Sequence, residues 1–167
     1  NVLGGFIDCL IINNVATNGG GVSAFNTAVE SCTIVDNFAV EDGGGAFLWS
    51  NGWVNSCVVS NNAAGRWGGG AFFYSHGSAR DTVFADNWAP QGGGMALTDT
   101  YVSSCTFVGN QAVSGGGYIS FSNAYVNACV FKGNQAASGG GAFLNSVDSV
   151  MRNCILYENI AVTGGAV

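Results

Sequence analysis

Apolar residues recur along the chain in a pattern that repeats about every 24 residues. Each copy is anchored by a cysteine or, once, a threonine, at spacings of 23 to 25 residues. The second residue after each anchor and the third residue before it are always apolar. Alternation of period two from the anchor predicts a strand with its anchor side chain inward. Repetition at a fixed period of this length indicates a solenoid. The anchors are Cys9, Cys32, Cys57, Thr82, Cys105, Cys129 and Cys154.

An asparagine follows every anchor at the fifth position, an alanine comes two residues later, and two or three glycines follow. We expect the asparagine to turn a corner of the coil in the left-handed conformation, which asparagine tolerates. Its amide is also expected to hydrogen-bond to the equivalent amide in the next coil. The glycines allow a positive φ and a tight turn. The asparagine ladder comprises Asn14, Asn37, Asn62, Asn87, Asn110, Asn134 and Asn159.

Three strands are predicted in each copy: one at the anchor, one after the glycines, and one that ends near the apolar residue before the next anchor. The sequence has no helical run of ten or more residues and no recurring Asn-Gly or Asp-Gly hairpin turn. We therefore predict an all-β fold, a right-handed parallel β-helix of about seven coils with three short strands per coil. We expect residues 1–167 to form a single β-helix domain, either by themselves or as a segment of a longer β-helix or fibre.

Composition narrows the partners that this fold could have. Only 8% of the residues are charged, the net charge is −6, and four residues are basic. We expect no binding to nucleic acid, because such binding needs lysine and arginine to displace counterions. The chain is 48% hydrophobic, yet it has no apolar run of the ~18 residues that a transmembrane segment requires.

Two segments resemble a known family of repeats. Residues 32–48 (CTIVDNFAVEDGGGAFL) and 129–144 (CVFKGNQAASGGGAFL) are similar to the FxxN and GGAI repeats of chlamydial polymorphic outer-membrane proteins. The FxxN pattern occurs at residues 84–87, 107–110 and 131–134. The resemblance covers the whole chain. It implies a right-handed β-helix of the pectin-lyase-like class that is extracellular or on the cell surface, often with an adhesive role.

Six cysteines in an extracellular protein raise the question of disulfides. Neighbouring strands lie close enough for disulfides between coils. Thr82 nevertheless divides the column into two groups of three, so pairing of adjacent coils leaves an unpaired thiol in each group. We expect a ladder of buried, reduced thiols, with two disulfides as the alternative. The ladder comprises Cys9, Cys32, Cys57, Cys105, Cys129 and Cys154.

Candidate catalytic residues are few. Asp36, Asp86 and Glu158 share one column, Glu41 and Asp42 lie beside Arg66 of the adjacent coil, and Arg80 neighbours Asp81. None of these groups predicts a compact acid/base pair, so we interpret them as solvated corner charges. We expect no enzymatic activity, no catalytic residue, no metal and no cofactor.

The strand at the anchor predicts an outward face that is poor in charge. Among the fourteen outward positions in the seven copies, only Lys132 is charged. Such a face usually marks an interface. We therefore expect self-association or contact with another surface protein. The predicted interface contains Leu10, Ile12, Thr33, Val35, Val58, Val83, Thr106, Val108, Val130 and Ile155.

A second group of apolar residues follows the glycines. Trp49, Phe73, Tyr74 and Phe121 could form an outward aromatic strip for sugar stacking, or they could fill the core. We therefore also expect glycans among the partners of this protein. Any attached glycan is expected to be O-linked, because the sequence has no Asn-x-Ser/Thr sequon.

The chain begins partway through one copy and ends at the start of another. From Ala166 to Cys9 of a following copy would be ten steps, close to the internal spacing. This pattern predicts six whole coils and a divided seventh, and hence either head-to-tail stacking or a segment of a longer β-helix. The sequence favours a structural or adhesive extracellular protein, a filament or appendage subunit. A carbohydrate-binding or carbohydrate-active β-helix, resembling polysaccharide lyases and hydrolases, is the alternative.

Overall fold

The chain folds as a parallel β-helix in the computed structural model, which describes residues 4–167, and this part contains no helix. Each coil passes in turn through sheets A, B and D, with a short segment, sheet C, between B and D. Sheets A and B have seven strands each, and sheet D has six. The predicted fold class, with three main strands per coil and about seven coils, is confirmed.

The strands of each sheet follow one another along the stack. Sheet A consists of Gly5–Ile7, Ala28–Glu30, Trp53–Asn55, Ser78–Arg80, Thr100–Ser103, Ala124–Asn127 and Val150–Arg152. Sheet B consists of Leu10–Ile12, Thr33–Val35, Val58–Ser60, Val83–Ala85, Thr106–Val108, Val130–Lys132 and Ile155–Tyr157. Sheet D consists of Val22–Phe25, Ala46–Trp49, Ala71–Phe73, Met95–Leu97, Tyr118–Ser120 and Ala142–Leu144.

Equivalent residues of successive coils pair directly with one another. Val59, for example, lies between Ile34 of the preceding coil and Phe84 of the following coil. Because every pairing is parallel and in register, each repeat position becomes a column of side chains along the stack. Columns, rather than residues close together in sequence, therefore form the surfaces of this protein.

The core is filled by the inward columns of sheets A, B and D. Phe84, Phe107 and Phe131 stack in successive coils, with ring centroids 5.0 and 4.7 Å apart and planes within 7° of parallel. Tyr118 meets Phe107 edge-on from sheet D, with the ring centroids 6.1 Å apart. Because the separation of stacked rings matches the strand spacing, one aromatic ring per coil fills the interior without distorting the sheets.

Sheet C was not predicted from the sequence. It consists of Val15–Ala16, Phe38–Ala39, Ala63–Ala64, Gln135–Ser138 and Ile160–Thr163. Between its two parts, single bridges at Trp88 and Gln111 continue the same ladder. Its strands directly follow the ladder asparagines, and most are too short to show an alternating pattern.

The left-handed corners lie one residue before the ladder asparagines, so the predicted conformation of those asparagines was wrong. Asn13, Asp36, Asn61 and Asp86 have φ between 53° and 58° at this position, whereas no ladder asparagine has a positive φ. A second left-handed corner precedes each anchor, where Ala128 has φ 53°. The residue before the ladder asparagine thus makes the turn. The asparagine itself keeps an ordinary backbone conformation and contributes its side chain to the corner.

The glycine triplet combines a turn with a close contact between coils. The first glycine has a positive φ, as at Gly68 with φ 63°. A Cβ on the second glycine, Gly69, would lie 2.4 Å from the carbonyl oxygen of Trp88. Two physical requirements, turn geometry and the approach of the next backbone, therefore explain successive glycines.

Replacing Ala128 by glycine is expected to raise the stability of the protein. Ala128 is exposed, and its Cβ is unfavourable in the left-handed conformation that glycine adopts freely. We expect Ala128→Gly to raise the free energy of unfolding by ~0.5–1 kcal/mol, measured by urea denaturation. The control is Ala137→Gly at an exposed strand position without positive φ, which should lower stability. Equal effects of the two substitutions would contradict this explanation.

Candidate functional site

The seven ladder asparagines form a continuous column of hydrogen bonds at the corner between sheets B and C. The side-chain nitrogen of each of the first six donates to the side-chain oxygen of the next asparagine, as from Asn62 to Asn87 at 3.1 Å. The same oxygen of Asn87 accepts the backbone N–H of Asn62 at 2.9 Å. The Asn87 side-chain nitrogen also donates to the carbonyl of Val59 at 2.9 Å. The amides therefore satisfy backbone groups at a buried corner, which is a structural role.

The six cysteines form the predicted column at the start of sheet B, and all six thiols are free. Cys32, Cys57, Cys105 and Cys129 are buried, and the outer two are half-buried. Backbone N–H groups point at the sulfur of the next coil, as from Cys32 to Cys57 at 3.4 Å. Thr82 takes the same role with its hydroxyl, which accepts from the backbone N–H of Cys57 at 3.2 Å.

Burial changes the chemistry of these thiols. Desolvation raises the pKa of the Cys57 thiol to about 11, and burial also raises the pKa of Cys32 and Cys154. Because the thiolate is the reactive form, these groups are poor nucleophiles and poor metal ligands at neutral pH. These three thiols therefore fit a packing role better than a reactive one, whereas the hydrogen bond with Cys105 lowers the pKa of Cys129.

The ten residues of the predicted interface all lie on the outward side of sheet B, and none is buried. Leu10 and Ile155, at the two ends of one column, are 67% and 60% exposed, and Val58 in the middle is 43% exposed. Lys132, the one charged residue on this face, lies 4.0 Å from Glu158. The outward side of sheet B is thus an open apolar face, which we call the sheet B face.

Sheet D carries an aromatic cluster on its outward side, formed by Phe47, Trp49, Trp67, Phe72, Tyr74 and Phe121. Its rings lie 4.7 to 6.4 Å from their neighbours and cover one another. Phe47 and Phe72 consequently remain only 3% and 1% exposed although they point away from the core. Of the four residues considered for a strip, Phe73 instead fills the core, because period-two alternation turns Phe72 outward.

Arg66 joins this cluster to the acidic residues of the preceding coil. Its guanidinium donates to both carboxylate oxygens of Asp42, at 2.8 and 2.5 Å, and lies 3.6 Å from Glu41. It also lies 4.2 Å from the centre of the Trp67 ring. Asp42 is buried, so its interpretation as a solvated corner charge was wrong. The carboxylate is engaged in an ion pair and is not free for acid/base chemistry.

The outward side of sheet A, which we call the sheet A face, brings together polar and aromatic residues that were not predicted to lie side by side. Successive coils contribute Glu30, Asn55, Arg80, Ser103, Asn127 and Arg152 to one column. The neighbouring column contains Trp53, Ser78, Tyr101 and Tyr125. The signal was present in the sequence, because these positions flank the inward apolar residue before each anchor.

Two cavities open along the sheet A face. The first has a volume of about 240 Å³ and is lined by Glu30, Trp53, Val54, Asn55, Ser78 and Arg80. The second, of about 350 Å³, lies at the corner with sheet D and is lined by His76, Asp99, Thr100, Asn123, Ala124, Tyr125, Asp148 and Val150. Tyr125 of the second cavity stacks with Tyr101 of the preceding coil, with ring centroids 5.3 Å apart.

In the range 4–167, no group of three or more His, Cys, Asp or Glu side chains is arranged to hold a metal ion. The same residues contain no helix long and apolar enough to cross a membrane.

Comparison with known proteins gives one family match. Residues 128–146 match the Chlamydia polymorphic membrane protein repeat. This confirms the repeat resemblance recognised in the sequence. The matched segment runs from the corner at Ala128 through the sheet B strand Val130–Lys132 and the ladder Asn134 to the sheet D strand Ala142–Leu144. No curated protein and no solved structure matches the chain.

Removing one ladder amide is expected to destabilise the whole stack. Asn87→Ala leaves the backbone and side-chain N–H groups of Asn62 without their acceptor in a buried corner. At about 1–3 kcal/mol for each unsatisfied buried group, we expect a loss of ~3 kcal/mol or more in urea denaturation. The matched control is Asn145→Ala at an exposed corner outside the ladder, where we expect a change below ~0.5 kcal/mol. A loss for Asn87→Ala no larger than the control's would contradict the ladder's structural role.

The thiols are expected to be reduced, and the buried thiol of Cys57 is expected to react slowly. In the native protein at neutral pH, iodoacetamide should label Cys57 far more slowly than the half-buried Cys9, because burial raises the pKa of Cys57. The rate at Cys57 should rise with pH as the thiolate forms. In denaturant without reductant, mass spectrometry should find all six cysteines labelled. Fewer than three labelled thiols would indicate the disulfide alternative.

Proposed function

We propose that this chain is part of a structural or adhesive protein of the cell surface, and that its sheet B face packs against the same face of a second copy. The observation that carries the proposal is the exposed sheet B face itself. Seven strands at a spacing of about 4.8 Å give it a length of about 29 Å, with one charge along it. Contiguous apolar surface on an otherwise water-exposed protein usually marks an interface.

A second copy fits this face for a geometrical reason. Both copies present columns of small and β-branched side chains with the same period along the stack. Two such sheets can interdigitate their side chains at a separation of about 10 Å, as in other sheet-on-sheet packings. The net charge of −6 opposes association in general, but no acidic residue lies among the face positions. The charge-poor face is therefore where two copies repel each other least.

A surface location is supported by the repeat match. The matched repeat takes its name from polymorphic membrane proteins of Chlamydia, and its pattern recurs in this chain from coil to coil. By this likeness we assign the chain to the outer membrane or cell surface, and an adhesive role follows from display of its faces to the exterior.

We propose no catalytic role. Asp36, Asp86 and Glu158 occupy left-handed corner positions in different coils, and Asp42 is held by Arg66. A β-helix enzyme would need a compact group of acid, base and substrate-binding residues. Of the carbohydrate-related alternatives, the cavities of the sheet A face support binding rather than catalysis.

Charged substitutions on the sheet B face are expected to abolish self-association. In sedimentation equilibrium, the unaltered chain should associate as its concentration rises, whereas Val58→Lys and Val83→Lys should each remain monomeric because a desolvated lysine opposes packing. The matched control is Val113→Lys at an exposed turn outside this face, which should associate normally. A monomeric unaltered chain, or association that survives both face substitutions, would overturn lateral packing. Filaments one β-helix wide in electron micrographs would instead indicate head-to-tail stacking.

A further inference from the structure

We propose that the sheet A face is a binding groove for an uncharged hexose-containing oligosaccharide. This inference deepens the adhesive part of the proposed function by naming the class of ligand and the face that binds it. Its starting point is the first cavity, where the three side chains Glu30, Asn55 and Arg80 come from successive coils.

The hydrogen-bonding groups of this cavity suit sugar hydroxyls. The side-chain oxygen of Asn55 is shielded from solvent and has no hydrogen-bond partner among the described residues. The carboxylate of Glu30 accepts a hydrogen bond from the Trp53 indole at 3.2 Å and keeps further acceptor capacity. The three ion pairs of residues 4–167 do not include Arg80, so its guanidinium is available as a donor. Adjacent hydroxyls both donate and accept, and can therefore use Glu30 and Arg80 directly. Asn55 also lines the cavity, and its shielded oxygen joins them once the side-chain amide turns toward the ligand.

The shape of the groove also suits a sugar. At about 240 Å³ the cavity is smaller than the ~300–1,000 Å³ pockets that hold drug-sized molecules, so it fits a single sugar unit. Trp53 provides an apolar wall in the cavity, and the stacked pair Tyr101 and Tyr125 continues it toward the second cavity. Aromatic side chains present an apolar surface and a polar tip, which suits the C–H face of a pyranose ring and its hydroxyls.

The distribution of charge favours an uncharged glycan. Glu30 and Arg80 carry opposite charges in the first cavity, and the second is lined by Asp99 and Asp148. Arg152 is the one other base in the sheet A column, so the face has no excess of positive charge that would select an anionic sugar. Uronic or sulfated sugars that extended along the groove would meet these carboxylates and be repelled. From Glu30 to Tyr125 the groove crosses five coils, about 19 Å at a spacing of 4.8 Å per step, so the ligand is an oligosaccharide running along the stack.

The groove is tested by titrating the full chain with cellohexaose, mannohexaose and maltohexaose, and separately with an oligogalacturonate, using isothermal calorimetry. We expect saturable binding of at least one neutral hexasaccharide and weaker or no binding of the oligogalacturonate. Arg80→Gln at an exposed position should weaken binding about tenfold or more, as should Trp53→Ala. The matched controls are Lys132→Gln and Trp88→Ala, which lie outside the groove and should bind as the unaltered chain does.

Each other outcome overturns a defined part of the inference. Absence of saturable binding to the three neutral probes, or binding that Arg80→Gln and Trp53→Ala leave unchanged, would overturn the site. Preference for the oligogalacturonate would overturn the ligand class. Circular dichroism of Trp53→Ala shows whether a loss of binding comes with a loss of the fold. Arg80 is exposed, so Arg80→Gln should leave the core unchanged.

Sedimentation of the same proteins distinguishes this inference from the proposed self-association. Arg80→Gln should associate as the unaltered chain does, and Val83→Lys should bind the hexasaccharide normally. Loss of sugar binding with intact association would refute the groove alone, and the converse would refute lateral packing alone.

Discussion

The amide of the ladder asparagine fixes how one coil lies on the next. Its oxygen accepts the backbone N–H and the side-chain N–H of the preceding asparagine, and its nitrogen reaches the strand carbonyl of that preceding coil, as Asn87 does with Asn62 and Val59. A slip by one residue would break all of these bonds in a corner that water does not reach. The register of sheets A, B and D depends on this constraint, because a parallel stack of short strands is otherwise weakly specified.

In-register stacking converts a repeating sequence into faces of distinct chemistry. The interior columns accept one large ring per coil, as with Phe84, Phe107 and Phe131, while the glycines let the backbones approach each other closely. On the outside, sheet B is apolar, sheet D is covered by its own aromatic rings, and sheet A is polar with two cavities. Each face draws on residues about 24 positions apart, so no contiguous motif describes it.

The repeat alone was enough to predict the fold class, since the positions of the three main strands, the inward residues and the coil number follow from its period. The repeat predicted the chemistry of an outward face less well wherever a column mixes residue types. Trp53, Ser78 and Tyr101 share a column but not a chemistry, so the sheet A face emerges only once the register is known. The corner geometry was misassigned by one residue because Asn13 and Asn14 are adjacent, and composition does not show which of them has the positive φ. The pairing of Asp42 with Arg66 likewise depended on how far a side chain reaches between coils.

Contacts in this fold run almost entirely between neighbouring coils, so the molecule is modular along its axis. Insertion or loss of one whole repeat would lengthen or shorten every face by about 4.8 Å while leaving the local geometry of the remaining coils unchanged. Ring-shaped or closed folds lack this freedom, because their curvature fixes the number of units. Homologous chains could therefore change the reach of a binding surface by recombination between repeats, without redesigning a single contact.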